Sequence, residues 1–104
     1  MDKREHGRVS VKMLVVCERE GEPTINGLAT NISLGGSRIE SADIPPFDAA
    51  LTIVTRLPGE TEMSRLHATV RWTAPSAFGV QFGSLRAKDN FRIASLMSQS
   101  VRVR

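Results

Sequence analysis

The chain has a single cysteine, no tyrosine and only 5% aromatic residues in 104 positions. One cysteine excludes an internal disulfide and leaves no Cys/His spacing for a metal site. Its place at the end of "MLVVC", Met13 to Cys17, marks Cys17 as a small buried hydrophobe on a strand. That run is also the longest uninterrupted apolar stretch, far short of the roughly 18 residues a membrane span needs. Charges open the N-terminus and no apolar segment follows them, so no secretory signal is legible. Together these absences predict a soluble protein of a reducing, cytoplasmic compartment. Blocks of one charge sign are missing too. Fourteen basic against 11 acidic residues leave +3, a mild basicity unlike a nucleic-acid-binding tail. Low-complexity tracts, linkers and internal repeats are absent, and the length suits one domain over residues 1–104.

A catalytic constellation is also lacking. His6 lies in the charged N-terminal segment and His67 on the outward row of a strand, so no Ser-His-Asp arrangement can be placed. The acidic residues are scattered through turns and form no pair suited to general acid and base work. No phosphate-binding loop, HExxH or Cys/His cluster occurs. The chain is expected to be neither an enzyme nor a metalloprotein.

What is present is a series of short strands. "VSVKMLVVC" alternates Val9, Val11, Met13, Val15 and Cys17 against a partly polar row. "EREGEPTING" is a polar connection containing Gly21, Pro23 and an Asn26-Gly27 pair, which suits a hairpin turn. Leu28, Thr30 and Ile32 then recur with period two, and "SRIE" resumes after Gly35-Gly36. Pro45-Pro46 cannot sit in a central strand. "ALTIVTRL" is the next strand, ended by Pro58-Gly59. "SRLHATVRW" places Leu66, Ala68, Val70 and Trp72 on one face, and "FGVQF" repeats the pattern with Phe78, Val80 and Phe82. Trp72, Phe78 and Phe82 are thereby assigned to the core. Such spacing predicts a mostly β chain, as a small antiparallel barrel or a strongly bent sheet. The period then changes. From Asp89, assigned as the N-cap, Ile93, Ala94, Leu96, Met97 and Val101 share one helical face, with Arg92, Ser95 and Gln99 elsewhere. The helix is expected to close one end of the sheet, with Arg102 and Arg104 at a solvated terminus.

Eleven of the fourteen basic residues are arginine, whose planar forks meet phosphate and guanine edges in pairs. Two of them, Arg4 and Arg8 in "REHGR", stand four positions apart. Extended, their roots lie about 13 Å apart; in a helical turn, about 6 Å. Gly7 permits a bent path that draws both forks toward one ligand. A second polar cluster follows in "NISLGG". Asn31 and Ser33 share one side of a strand, and Gly35-Gly36 leaves the backbone unobstructed. This corner suits the close approach of a flat heterocycle or a phosphodiester. It equally suits an ordinary turn or bulge capped by Asn31 and Ser33.

Read together, the two segments give R-x-x-x-R, 22 intervening residues, then N-x-S-x-x-G, carried by Arg4, Arg8, Asn31, Ser33 and Gly36. This pattern resembles the PilZ domain family, bacterial receptors for cyclic di-GMP, whose signature is RxxxR followed by [D/N]xSxxG. The likeness extends through "RVSVKMLV" and the late "RWTAPSAFGVQF" before a C-terminal helix. It implies a six-stranded antiparallel β-barrel over residues 9–83, a helix over 87–100 and a flexible ligand-binding arm over 1–8. It further implies that Arg4 and Arg8 contact phosphates and guanine Hoogsteen edges while Asn31, Ser33 and Gly36 line the opposite side. Lys3, Gly35 and Arg38 flank the signature and are secondary candidates.

The resemblance implies a non-enzymatic cyclic di-GMP receptor with no cofactor. It would change conformation on binding and act in trans on an unidentified effector in motility, adhesion or envelope processes. Met1 followed closely by the arginines favours a whole protein over an excised piece. A ligand-independent adaptor is the first alternative, although an intact signature argues against it. A single-stranded nucleic-acid-binding barrel is the second, disfavoured by the shortage of aromatic stacking surfaces.

Overall fold

The computed structural model describes residues 8–102, with side chains through Gln99. Six strands precede one helix: β1 (Val9–Glu18), β2 (Ile25–Ile32), β3 (Gly36–Glu40), β4 (Ala50–Thr55), β5 (Ser64–Ala74), β6 (Ala77–Phe82) and α1 (Ala87–Arg102). The strands close into a barrel in the order β1-β2-β3-β6-β5-β4, and every pairing is antiparallel. The choice between barrel and bent sheet is thus settled by the β1–β4 ladder, which joins Val15 to Thr55 and Glu18 to Thr52. Among the described residues no helix is long and apolar enough to cross a membrane.

Period-two patterning fills the interior with Met13, Val15 and Cys17 from β1, Leu51 and Ile53 from β4, and Leu66, Ala68 and Val70 from β5. Phe78, Val80 and Phe82 enter from β6, and Ile39 from β3. Burial pushes the Cys17 thiol up to about 11, as expected for a thiolate disfavoured by an apolar interior. One end is plugged by Ile93 of α1, which is fully buried, while Leu96 and Met97 pack partly against the same core.

The first hairpin turns at the Gly21 end of the polar connection and not at its Asn-Gly pair. The chain reverses at Arg19–Glu22, where the Glu22 amide donates to the Arg19 carbonyl at 3.0 Å and Gly21 takes φ 78°. Asn26 and Gly27 lie inside β2, opposite Val16 and Val15. A Cβ on Gly27 would stand 2.7 Å from Ile39 Cγ2, so this glycine admits a core side chain rather than making a turn. By contrast, Pro58-Gly59 does form a turn, with Gly59 at φ 84° and the Glu60 amide donating to the Leu57 carbonyl at 3.0 Å.

Two irregularities shift faces that simple alternation assigns. Ala29 pairs with Ile39 and Asn31 with Arg38, which leaves Thr30 as an extra residue of β2. Ala29 and Ile32, three positions apart, are consequently both buried. On β5, Val70 pairs with Val80 and Trp72 with Gly79, leaving Arg71 unmatched. Trp72 is therefore carried out of the core row and is 41% exposed, whereas Phe78 and Phe82 are buried as expected.

The helix also starts ahead of its assigned cap. The Arg86 carbonyl accepts from the Asn90 amide at 2.9 Å, so Asp89 lies within the first turn. The Asp89 carboxylate is buried and accepts from the Ser64 hydroxyl at 2.8 Å. Arg92, off the apolar face, has a side chain only 14% exposed and reaches Glu60 at 3.1 Å, Glu62 at 3.3 Å and Asp89 at 3.7 Å. This cluster ties the helix start to the β4–β5 connection. The Glu62 carboxylate is held below the usual glutamate range, chiefly by the Arg92 hydrogen bond and then by the Lys88 charge.

Candidate functional site

Arg8 and Asn31 are 23 positions apart, yet Arg8 Nη1 donates to Asn31 Oδ1 at 2.9 Å. The approach follows from the β1–β2 ladder, which places Ser10 opposite Asn31 and so brings the start of β1 over the end of β2. Asn31 Oδ1 accepts a second bond from the Arg38 amide at 3.1 Å. Two N–H donors on one atom fix which end of the side-chain amide is oxygen. The Ser37 hydroxyl donates to the Asn31 carbonyl at 2.6 Å, steadying the strand beside the Thr30 irregularity. Asn31 is thus a junction holding Arg8 to the wall of the barrel.

Ser33 and Gly36 have different work. The Ser33 hydroxyl oxygen accepts from the Gly35 amide at 3.0 Å and the Gly36 amide at 3.2 Å, while the Ser33 amide donates to the Gly36 carbonyl at 2.8 Å. Ser33 is itself buried, so its side chain is committed to building the β2–β3 turn. A Cβ on Gly36 would fall on the carbonyl oxygen of Val80. The glycine is required by the closeness of β6. Gly35 is exposed at the tip, and its carbonyl accepts from the Phe82 amide at 2.9 Å. Of the two readings the "NISLGG" corner admits, the turn describes Ser33 and Gly36, and the polar rim describes Asn31.

Arg38 stands next on that rim. Its guanidinium Nη1 donates to the Thr30 hydroxyl at 3.2 Å and to Glu40 Oε2 at 2.7 Å, with the side chain 38% exposed. Asn31 pairs with Arg38, Arg38 with Gly79, and Gly79 with Trp72, which makes one row across β2, β3, β6 and β5. The Trp72 indole lies over Gly79, where any Cβ would strike it. At about 4.8 Å per strand the row spans about 14 Å. An amide, a guanidinium and a partly exposed indole therefore follow one another along this row.

The barrel thus carries an arginine just ahead of β1 hydrogen-bonded to Asn31 near the end of β2. The PilZ domain family model matches residues 2–99. The chain belongs to the PilZ domain family. Comparison with curated protein sequences gives no match. Among solved structures, the PilZ fold here is similar to the Bacillus subtilis inhibitor of motility MotI/DgrA, with TM-score 0.75 and 23% identity over 95% of this chain and 51% of that one. It thus spans about half the length of that protein. The PilZ domain of CeSA from a cellulose-synthesizing bacterium aligns with TM-score 0.70 and 17% identity, covering 88% of this chain and 95% of its own. PlzA of Borreliella burgdorferi, solved in complex with c-di-GMP, aligns with TM-score 0.61 and 16% identity over 93% of this chain and 38% of that one.

Lys3 and Arg4 lie outside the described residues, as do Gly7 and His6. Sequence reasoning missed Thr30, Ser37 and Glu40, which hold Asn31 and Arg38 in place, and it misplaced Trp72. A signal for Trp72 existed in its neighbour: Gly79 interrupts an otherwise bulky β6 and vacates the space an indole can cover.

Proposed function

We propose that this PilZ domain is a non-enzymatic receptor for cyclic di-GMP. Residues 1–8 act as the ligand-binding arm, and Arg4 and Arg8 supply the guanidinium forks. The observation that carries the reading is the Arg8–Asn31 hydrogen bond at 2.9 Å, which joins the two halves of the signature at one point on the barrel. The ligand has two phosphodiester charges, and its guanines expose O6 and N7 acceptors that an arginine fork meets in pairs. Asn31 is uncharged, so it orients Arg8 without neutralising it. The guanidinium keeps a full charge for a phosphate.

The rest of the row gives each further residue a part. Trp72 offers a guanine the exposed face of its indole, and Gly79 beneath it fixes that ring's height. Arg38 is paired with Glu40, and an incoming phosphate or guanine edge competes for the same guanidinium. Ser33 and Gly36 act by shaping the turn on which Asn31 and Arg38 are mounted. In this reading ligand binding gathers the arm onto the barrel and changes the surface presented to a partner protein. The output is regulation in trans, in motility, adhesion or envelope processes.

Isothermal calorimetry tests this directly. Wild type should bind cyclic di-GMP at micromolar affinity or better. Arg8→Ala should weaken binding by one to two orders of magnitude, since a hydrogen bond to a charged group contributes roughly 1.5–3 kcal/mol. Trp72→Ala should lose about tenfold while circular dichroism stays unchanged. Absence of heat from the wild type at tens of micromolar would sink the proposal and leave a ligand-independent adaptor as the surviving reading.

A further inference from the structure

Strand β1 is paired with β2 from Val9 to Cys17, but with β4 only from Val15 to Glu18. β4 ends at Thr55, whose hydroxyl donates to the Leu14 carbonyl at 2.8 Å, and the chain then leaves through Arg56 to the Pro58-Gly59 turn. The first half of β1 therefore has no β4 partner along that edge. Two depressions, of about 420 and 330 Å³, lie along it and meet at Lys12 and Pro58. One contains Leu14 and Met63, and the other runs past Val9 and Val11 to Leu96 of α1.

Large apolar side chains stand along this groove. Leu14 is 82% exposed and Met63 56% exposed, and they line the same depression. Large apolar side chains clustered in a concave site mark contact surfaces more often than scattered ones do. The rim is cationic. Among the described residues Arg19, Arg38, Arg65, Arg71, Lys88 and Arg92 each have a carboxylate within 4.0 Å. Arg8, Lys12, Arg56 and Arg86 have none among the described residues, and of these four Lys12 and Arg56 line the Leu14 depression. Apolar side chains between two cations that no described carboxylate pairs are complementary to apolar side chains alternating with carboxylates.

We infer that this groove docks an extended acidic-apolar segment of a partner protein. Leu14, Met63 and Leu96 take its apolar side chains, and Lys12 and Arg56 take its carboxylates. Docking by itself is independent of any nucleotide. Its regulation rests on the receptor reading above: Arg8 leads straight into Val9, so one continuous strand carries the ligand clamp and the groove wall. Movement of Arg8 onto a ligand repositions Val9–Lys12 and thereby the groove mouth.

The probes are a peptide of about eight residues alternating Glu and Leu, about 27 Å when extended, and its Lys-for-Glu counterpart. Titrated into isotopically labelled protein, the glutamate peptide should shift the amides of Lys12, Leu14, Arg56 and Met63 and bind at least about tenfold tighter than the lysine peptide. The exposed pair Lys12→Glu with Arg56→Glu, checked for an intact fold, should reverse that preference. Equal binding of both peptides, shifts centred elsewhere, or no shifts at about 1 mM peptide would overturn docking. Regulation is read separately by adding cyclic di-GMP. If calorimetry shows nucleotide binding while peptide affinity changes less than about threefold, the coupling is wrong. If peptide binds and nucleotide does not, the receptor reading fails and the groove stands.

Discussion

A methyl group on Gly36 would land on the Val80 carbonyl oxygen, an atom of the paired backbone that no rotamer can move aside. Gly36→Ala should therefore destabilise the barrel by about 3 kcal/mol, at the upper end of overpacking costs, measurable by urea titration. Loss of ligand affinity in that variant would report the turn and not a lost contact. Asn31 is the better residue for testing binding, because its side chain takes donors from both Arg8 and Arg38. Burial makes a separate statement about Cys17. A folded thiol held up to about 11 keeps its proton where the unfolded chain gives it up. The resulting contribution to stability is whole below the ordinary cysteine range and is lost as pH rises through that range toward the folded value. Thiol reagent should accordingly label Cys17 at neutral pH only as fast as the chain unfolds.

At the scale of the element, α1 is anchored at its first turn by Arg92 among Glu60, Glu62 and Asp89, and plugged into the barrel by Ile93. Arg92→Met keeps most of the side-chain volume and removes the cation, leaving the buried Asp89 carboxylate with the Ser64 hydroxyl. The expected cost is about 1–3 kcal/mol in denaturant, below that of a fully buried pair because Glu62 is exposed. Its pH dependence has a fixed sign. Glu62 is held below its ordinary range, so its contribution is complete above that range and disappears as pH falls through the lowered value. Wild type and Arg92→Met should converge in acid. The strand irregularities belong to this scale as well. Thr30 and Arg71 are single extra residues, yet they decide that Ile32 points inward and Trp72 outward.

For the whole molecule, strand order matters most. The ladder from Ser10 through Asn31, Arg38 and Gly79 to Trp72 exists only because the strands are wrapped in the order β1-β2-β3-β6-β5-β4. A ligand gripped along that row binds the native state alone. Under the receptor reading, cyclic di-GMP at 100 times its dissociation constant should stabilise the fold by about 2.7 kcal/mol. The thermal midpoint should rise by several degrees in wild type and by at most about half as much in Arg8→Ala at the same concentration, by differential scanning fluorimetry.

The alternation of apolar residues through Val9–Cys17 and Leu66–Val70 was enough to specify strands and to name most of the core, because side chains on a pleated strand change face at every residue. The signature positions were likewise legible, since arginine forks and small polar corners are chemically distinctive wherever they fall. The contacts each of those positions makes come from strands remote in sequence. The Val80 carbonyl makes Gly36 structural, the Gly35 and Gly36 amides occupy the Ser33 hydroxyl, and the Ser10–Asn31 register delivers Arg8 to its acceptor. A one-residue change of phase moved Trp72 from core to surface, and such a shift is fixed by pairing between strands that period alone does not encode.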